Sequence, residues 1–250
     1  MDEHGSSNYN LLIMPVALYK AKLAEKIDLT SKFIFFQFEL TEPHRIEFKA
    51  GQYLLLNVPG EAKKRQYSIV SAPRLDHAVK LLVELVEGGK ASTYLSAMNI
   101  GDEAEFFAPA GEFTISEEVL AASMPLVFIA TGSGLAPLRS MILDLLRTRE
   151  TKRPIMLYWG MRFVEDLFWL DYFEELKDNF PNFDYHIALS KPPEGWKLCS
   201  GRVTNCLSVH AIPESAHYYI CGNGQMVLDA MEVLKGRGVS ETSLHHEKFT

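Results

Sequence analysis

The chain has 250 residues, 47% of them apolar and 23% charged, a composition that excludes a disordered or fibrous protein. Lys and Arg number 25 against 32 Asp and Glu, and the resulting net charge of −7 argues against a broad nucleic-acid-binding surface. The 3 cysteines, with no C-x-x-C among them, speak against a disulfide framework and against a four-thiolate metal or iron–sulfur centre. No apolar run approaches the roughly 18 residues of a membrane span. Leu11–Leu18 follows an acidic, polar leader rather than the basic one of a signal peptide. A soluble, cytoplasmic chain without membrane or nucleic-acid partners is expected.

Residues 1–10 read as a disordered leader, 11–120 as a β-barrel domain and 121–250 as an α/β domain. In the first half, apolar residues come in strand-length bursts. Phe36, Phe38 and Leu40 alternate with Gln37 and Glu39, and Tyr53–Val58, Val79–Val86 and Ala104–Phe107 are similar. Glycine-rich turns separate them, which predicts five or six antiparallel strands closed into a barrel. The run Phe33, Phe35, Phe36 and Phe38 is expected in its core. Near Pro125 the rhythm changes. Strands are predicted at Leu126–Ala130, Ile155–Trp159, Phe183–Leu189 and His217–Cys221. Helices are predicted through Leu138–Leu146, over Val164–Lys177 and over Gln225–Lys235. Strands alternating with helices make a parallel sheet.

Three stretches carry chemistry. Gly132 and Gly134, between a buried strand and a helix, let a phosphate approach backbone amides and a positive helix end. Pro137 stands where a full dinucleotide fingerprint has its third glycine, so the pair is equally an ordinary tight turn. No acid follows at the end of the second strand, where an NAD-type unit keeps one for the ribose. Arg162, Lys191 and Arg202 lie instead on one side of the predicted sheet. Each alone is a surface charge; together they tilt the reading towards an adenosine 2′-phosphate, hence NADPH. In Arg65-Gln66-Tyr67-Ser68, strand alternation puts Arg65 and Tyr67 on one face and Gln66 and Ser68 on the other. Such a strand can clamp a phosphate and cover an aromatic cofactor, or be plain barrel. Gly88-Gly89-Lys90-Ala91-Ser92-Thr93 reads as a turn into a short helix, either an N-cap or a second phosphate seat.

Taken in order, Arg65-x-Tyr67-Ser68, Gly89-x-x-Ser92, Thr131-Gly132-x-Gly134-x-Ala136-Pro137, Gly160-x-Arg162 and Cys221-Gly222-x-x-x-Met226 resemble the ferredoxin–NADP reductase superfamily over about residues 12–249. The resemblance implies a six-stranded FAD-binding barrel and a Rossmann-like NAD(P)-binding domain. It implies that Arg65, Tyr67 and Ser68 lie against the flavin, with Ser68 near the reactive edge, and that Gly89, Lys90, Ala91 and Ser92 seat the FAD phosphates. Thr131 to Pro137 and Met226 would hold the pyridine nucleotide, Cys221 would face the nicotinamide, and Glu247 would match an acid that approaches the reacting centre.

The chain also departs from that pattern. Ser190-Lys191 stands where NADPH-preferring relatives carry Ser-Arg, which leaves NADP or NAD open. Phe249 is the candidate for a C-terminal aromatic stacked on the flavin. No ferredoxin-type cysteine cluster is appended, so ferredoxin or flavodoxin is expected as a separate electron-accepting partner. Two other functions remain: an NAD(P)H:flavin reductase or the reductase component of an oxygenase, and a non-catalytic relay subunit. Cys199 and Cys206 are expected to be idle thiols, and His245 and His246 to hold no metal. Lys63-Lys64-Arg65 reads as a solvated loop or a docking patch for an acidic carrier.

Overall fold

The computed structural model describes residues 15–213 and 215–249, so the predicted leader lies outside the described residues. Its first half holds strands β1 (Ala17–Asp28), β2 (Phe33–Glu42), β3 (Tyr53–Leu56), β4 (Arg65–Ser68) and β5 (Ala78–Glu84). Helix α1 (Lys90–Ala97) and strand β6 (Glu103–Ala110) complete it. All strand pairings are antiparallel, in the order β4-β3-β6-β1-β2-β5. The two ends meet just beyond β4, where Ile69 bridges Leu81 and the Val70 amide donates to the Lys80 carbonyl at 2.9 Å. The barrel core is apolar and alternating, as period-two burial requires: Ala21, Leu23, Phe36, Phe38, Leu54 and Leu81 are all buried. Strand β1 is not apparent in the sequence because its run of Ala, Lys, Leu and Glu favours a helix locally, and barrel pairing overrides that preference.

The phenylalanine run divides between two cores, correcting the expectation that all four belong to the barrel. Phe36 and Phe38 point inward, whereas Phe33 and Phe35 leave the opposite face of β2 and pack on Phe168 and Trp169 at centroid distances of 5.0 and 5.7 Å. Strand alternation forces this split, since neighbouring side chains leave opposite faces.

After helix α2 (Glu117–Ala121) come β7 (Leu126–Thr131), α3 (Leu135–Leu143), β8 (Ile155–Met161), α4 (Leu170–Asn179) and β9 (Phe183–Leu189). The chain continues through β10 (Cys199–Ser200), α5 (Val203–Val209), β11 (His217–Asn223), α6 (Gly224–Gly236) and β12 (Leu244–Phe249). The sheet is wholly parallel in the order β10-β9-β8-β7-β11-β12. Its order reverses between β7 and β11, which opens a crevice at their carboxyl ends. The apolar pattern through Leu146 is buried as expected, but beyond Leu143 the helix widens into a π-helical turn, Asp144–Thr148. The helix expected over Val164–Lys177 is instead a 3₁₀ turn, Val164–Asp166, followed by α4. Trp169 breaks it by adopting a left-handed φ of 57°. Strand β10 and helix α5 fall where no element is predicted, being too short for a periodic signal. Cys199 and Cys206, expected to be idle, are bonded to each other.

The halves are fastened by more than the phenylalanines. Ser140 donates to the Ser71 carbonyl at 2.6 Å and Arg139 to the Val70 carbonyl at 3.1 Å. Lys32 pairs with the buried Asp166 at 2.8 Å. Glu84 of the barrel accepts from the Ser133 hydroxyl at 2.9 Å, inside the turn that follows β7.

Candidate functional site

A cleft of about 1340 Å³ runs along the junction and is lined from both halves. One ligand pocket typically occupies about 300–1,000 Å³, so this cleft has room for two nucleotide-sized groups. On the barrel side it is lined by Arg65, Gln66, Tyr67 and Ser68 of β4 and by Gly89, Lys90, Ala91 and Ser92 at the start of α1. The α/β side contributes Thr131, Gly132 and Ala136, then Arg162, Ser190 and Arg202, then Gly222, Met226, Glu247 and Phe249. Residues predicted from separate stretches thus converge on one surface.

Strand β4 holds Tyr67 half-buried, and burial pushes its phenol up to about 12, so it stays neutral. Arg65 donates to the Lys63 carbonyl at 2.8 Å and lies 3.6 Å from Glu61, which also holds Lys90 at 2.6 Å. Ser68 is buried at the floor. At α1 no side chain caps the helix, and Ser92 donates back to the Gly89 carbonyl at 3.0 Å, bracing the turn. A Cβ on Gly89 would lie 2.9 Å from the Val86 carbonyl oxygen as well as 2.7 Å from the Ser92 Oγ, so the turn favours glycine.

The turn after β7 is built by close approach. A Cβ on Gly134 would fall 2.3 Å from the Cys221 carbonyl oxygen, so this glycine serves the contact between the β7 and β11 turns. Gly222 has φ +145°, and a Cβ there would sit 2.4 Å from the Thr131 Oγ1. Trp159 Nε1 donates to the Gly132 carbonyl at 3.3 Å and steadies the loop. The Thr131 hydroxyl is buried beside Gly222 without a hydrogen-bond partner, and Thr131 lines the cleft.

Four predicted residues do not line the cleft. Gly134 and Pro137 are buried beneath the turn, and Lys191 is exposed outside the lining, its amide bonded to the Arg162 carbonyl at 2.9 Å. Cys221 is fully buried, and burial with the nearby Glu247 charge pushes its thiol well above the usual range, so it is no thiolate. It reaches the site through its strand neighbours, since it pairs in register with Glu247 and precedes Gly222. Burial raises the Glu247 carboxyl to about 7, and its Oε2 is buried without a partner. Sequence reading missed Glu84 and Lys32, which also line the cleft; both are charged residues at the ends of barrel strands, with no local pattern to mark them. His245 lies 3.2 Å from His217, a pairing that only the parallel register of β11 and β12 creates. No described helix is long and apolar enough to cross a membrane.

A closed barrel joined to a parallel sheet, with one cleft across both, defines a two-domain nucleotide-binding oxidoreductase. The chain belongs to the ferredoxin–NADP reductase superfamily: residues 20–115 match the oxidoreductase FAD-binding domain and residues 128–232 the oxidoreductase NAD-binding domain. It is 31% identical over 245 residues to the reductase component of propane 2-monooxygenase from Rhodococcus jostii, covering 95% of this chain and 65% of that one. Among solved structures it resembles the Amycolatopsis cytochrome P450 reductase GcoB, with 30% identity and a TM-score of 0.86, over 94% of this chain and 71% of that one. It also resembles a ferredoxin NADP+ reductase from Neisseria gonorrhoeae with bound FAD and NADP, with 25% identity and a TM-score of 0.77, over 92% and 98%. The chain spans about two thirds of the length of the curated relatives it matches.

Proposed function

We propose that the chain is an NAD(P)H oxidoreductase that holds FAD against the barrel, accepts a hydride from NAD(P)H and passes electrons singly to a separate ferredoxin or flavodoxin in the cytoplasm. The observation that carries this reading is the convergence of β4, the α1 turn and the β7 and β11 turns on one cleft. The cleft's chemistry fits the two groups. The glycine at 89 and the amides of the first turn of α1 suit a pyrophosphate, the unpartnered Thr131 hydroxyl suits a polar ligand, and neutral Tyr67 suits an aromatic ring.

Bound flavin would supply the capacity to take a hydride and release single electrons. The chain would do the rest. Arg65 turns its fork from Glu61 to a phosphate. Ser68 would offer its hydroxyl to the reacting edge from the cleft wall. Gly222 keeps the wall beside Thr131 thin enough for a flat ring to approach, and buried Cys221 keeps Gly222 and Glu247 in register, a positioning role. Glu247, poised near neutrality, holds or hands on a proton. Arg162, Ser190 and Arg202 would receive the adenosine end, with Lys191 beside them, and Phe249 would cover the flavin.

The propane 2-monooxygenase relative favours a second acceptor, an oxygenase component. Steady-state turnover with NADPH or NADH is measured with a ferredoxin, a flavodoxin or free FMN as acceptor. Reduction of a protein carrier at a low KM supports the proposal. Saturable turnover with free FMN and none with protein carriers refutes it.

A further inference from the structure

The bond between Cys199 and Cys206 closes a short loop whose interior residues belong to the cleft. The two cysteines are seven positions apart with Cα atoms separated by 5.5 Å, and Arg202, Val203 and Thr204 between them line the cleft. The bond ties β10 to the middle of α5. Between them the chain turns at Gly201, with φ +105°, and the Arg202 amide donates to Asn205 Oδ1 at 2.8 Å. Cys206 is buried, whereas Cys199 is partly exposed beside Leu198, which is 56% exposed. His210 stands over the pair, its Nδ1 3.9 Å from the Cys199 sulfur and 3.7 Å from the Cys206 sulfur, with the His186 ring packed 4.0 Å behind it. The third cysteine, Cys221, is free and lies elsewhere in the core.

We propose that Cys199–Cys206 is a thiol–disulfide exchange site for a dithiol, of protein or small-molecule type, and that its redox state sets how tightly the cleft holds a pyridine nucleotide. The inference rests on the reading of the Arg202 end of the cleft as a nucleotide site. A thiolate of the donor attacks the accessible Cys199 sulfur, the bond between the cysteines breaks, and Cys206 leaves with the electron pair. His210 is within reach to protonate the departing sulfur. The donor's second thiol then displaces Cys199, so the chain gains two electrons and two protons and the donor becomes a disulfide. Reduction frees the lead-in to α5, so the backbone that carries Arg202 loses one of its ties and keeps only weaker ones, such as the 3.4 Å contact to Asp229, and the nucleotide must order it on binding. The flavin side of the cleft is untouched, because none of its residues lies in the loop.

The test compares the holoprotein after mild oxidation by diamide and after reduction by dithiothreitol. Alkylation of the unfolded protein is expected to count one free thiol in the first state and three in the second. Titration with NADP+ and with NAD+ is expected to show a Kd higher by about three- to tenfold on reduction, with FAD retention unchanged. Cys199→Ser is expected to bind like the reduced form and to ignore both reagents. Three thiols after oxidation, equal Kd values in the two states, or stoichiometric zinc held by the reduced protein would overturn the inference alone. A chain that retains no FAD and binds neither nucleotide in either state would overturn the functional reading and the inference with it.

Discussion

Replacing Glu247 with glutamine removes the one carboxyl in the cleft that burial raises to about 7. Its folded value lies above its unfolded value near 4.5, so the folded state binds the proton more tightly. The stability this supplies is therefore fully present below about pH 4.5 and is lost as pH rises through about 7. The whole shift corresponds to at most about 3 kcal/mol at about 1.4 kcal/mol per pKa unit. The site opens on the cleft and solvent screens it, which reduces the figure to about 1–2 kcal/mol. Glutamine keeps the shape and never ionises. Urea unfolding at pH 5 and pH 8.5 should then show the parent losing about 1–2 kcal/mol over that range relative to Glu247→Gln. The variant should be the more stable protein at pH 8.5, and the step near pH 7 in the rate of flavin reduction should disappear. Parallel stability profiles for parent and variant would refute the claim that Glu247 is a half-buried carboxyl with an unpartnered oxygen.

Other substitutions probe other walls of the cleft. Gly222→Ala forces a Cβ to 2.4 Å from the Thr131 Oγ1 at a φ of +145°, and should weaken NADP+ binding in a calorimetric titration while leaving FAD in place. Its cost in stability should be about 1–3 kcal/mol. Ser68→Ala should slow flavin reduction by about 10–100-fold in stopped flow with FAD still bound. Arg65→Ala should raise the Kd for FAD by about 10–100-fold, measured by fluorescence on rebinding to the stripped protein, since a charge-assisted clamp is lost.

The sequence carried those parts of the molecule whose signals are local. Alternation in β2, the apolar run of β7 and the glycines at 132 and 222 each reflect a constraint felt within a few residues. What it hid depends on distance. Phe33 and Phe35 look like barrel core because a strand announces two faces and not what covers the second one. The helix expected from Val164 fails because Trp169 turns left-handed where its ring packs on Phe35 and Phe168, a demand from the other domain. Glu84 enters the cleft through a contact with Ser133, 49 positions away. The bond between Cys199 and Cys206 appears only once β10 and α5 exist, and neither has a periodic signature. Cys221, expected to face the nicotinamide, is instead buried behind the cleft wall, a placement that follows from the register of β11 against β12.

The most direct test of the central claim is the visible spectrum of the purified chain after gel filtration, followed through anaerobic addition of NADPH and, separately, NADH. A yellow protein that either nucleotide bleaches within seconds is the predicted result, and faster bleaching by NADPH would assign Arg162 and Arg202 to a 2′-phosphate. A colourless protein that does not take up added FAD would contradict the account.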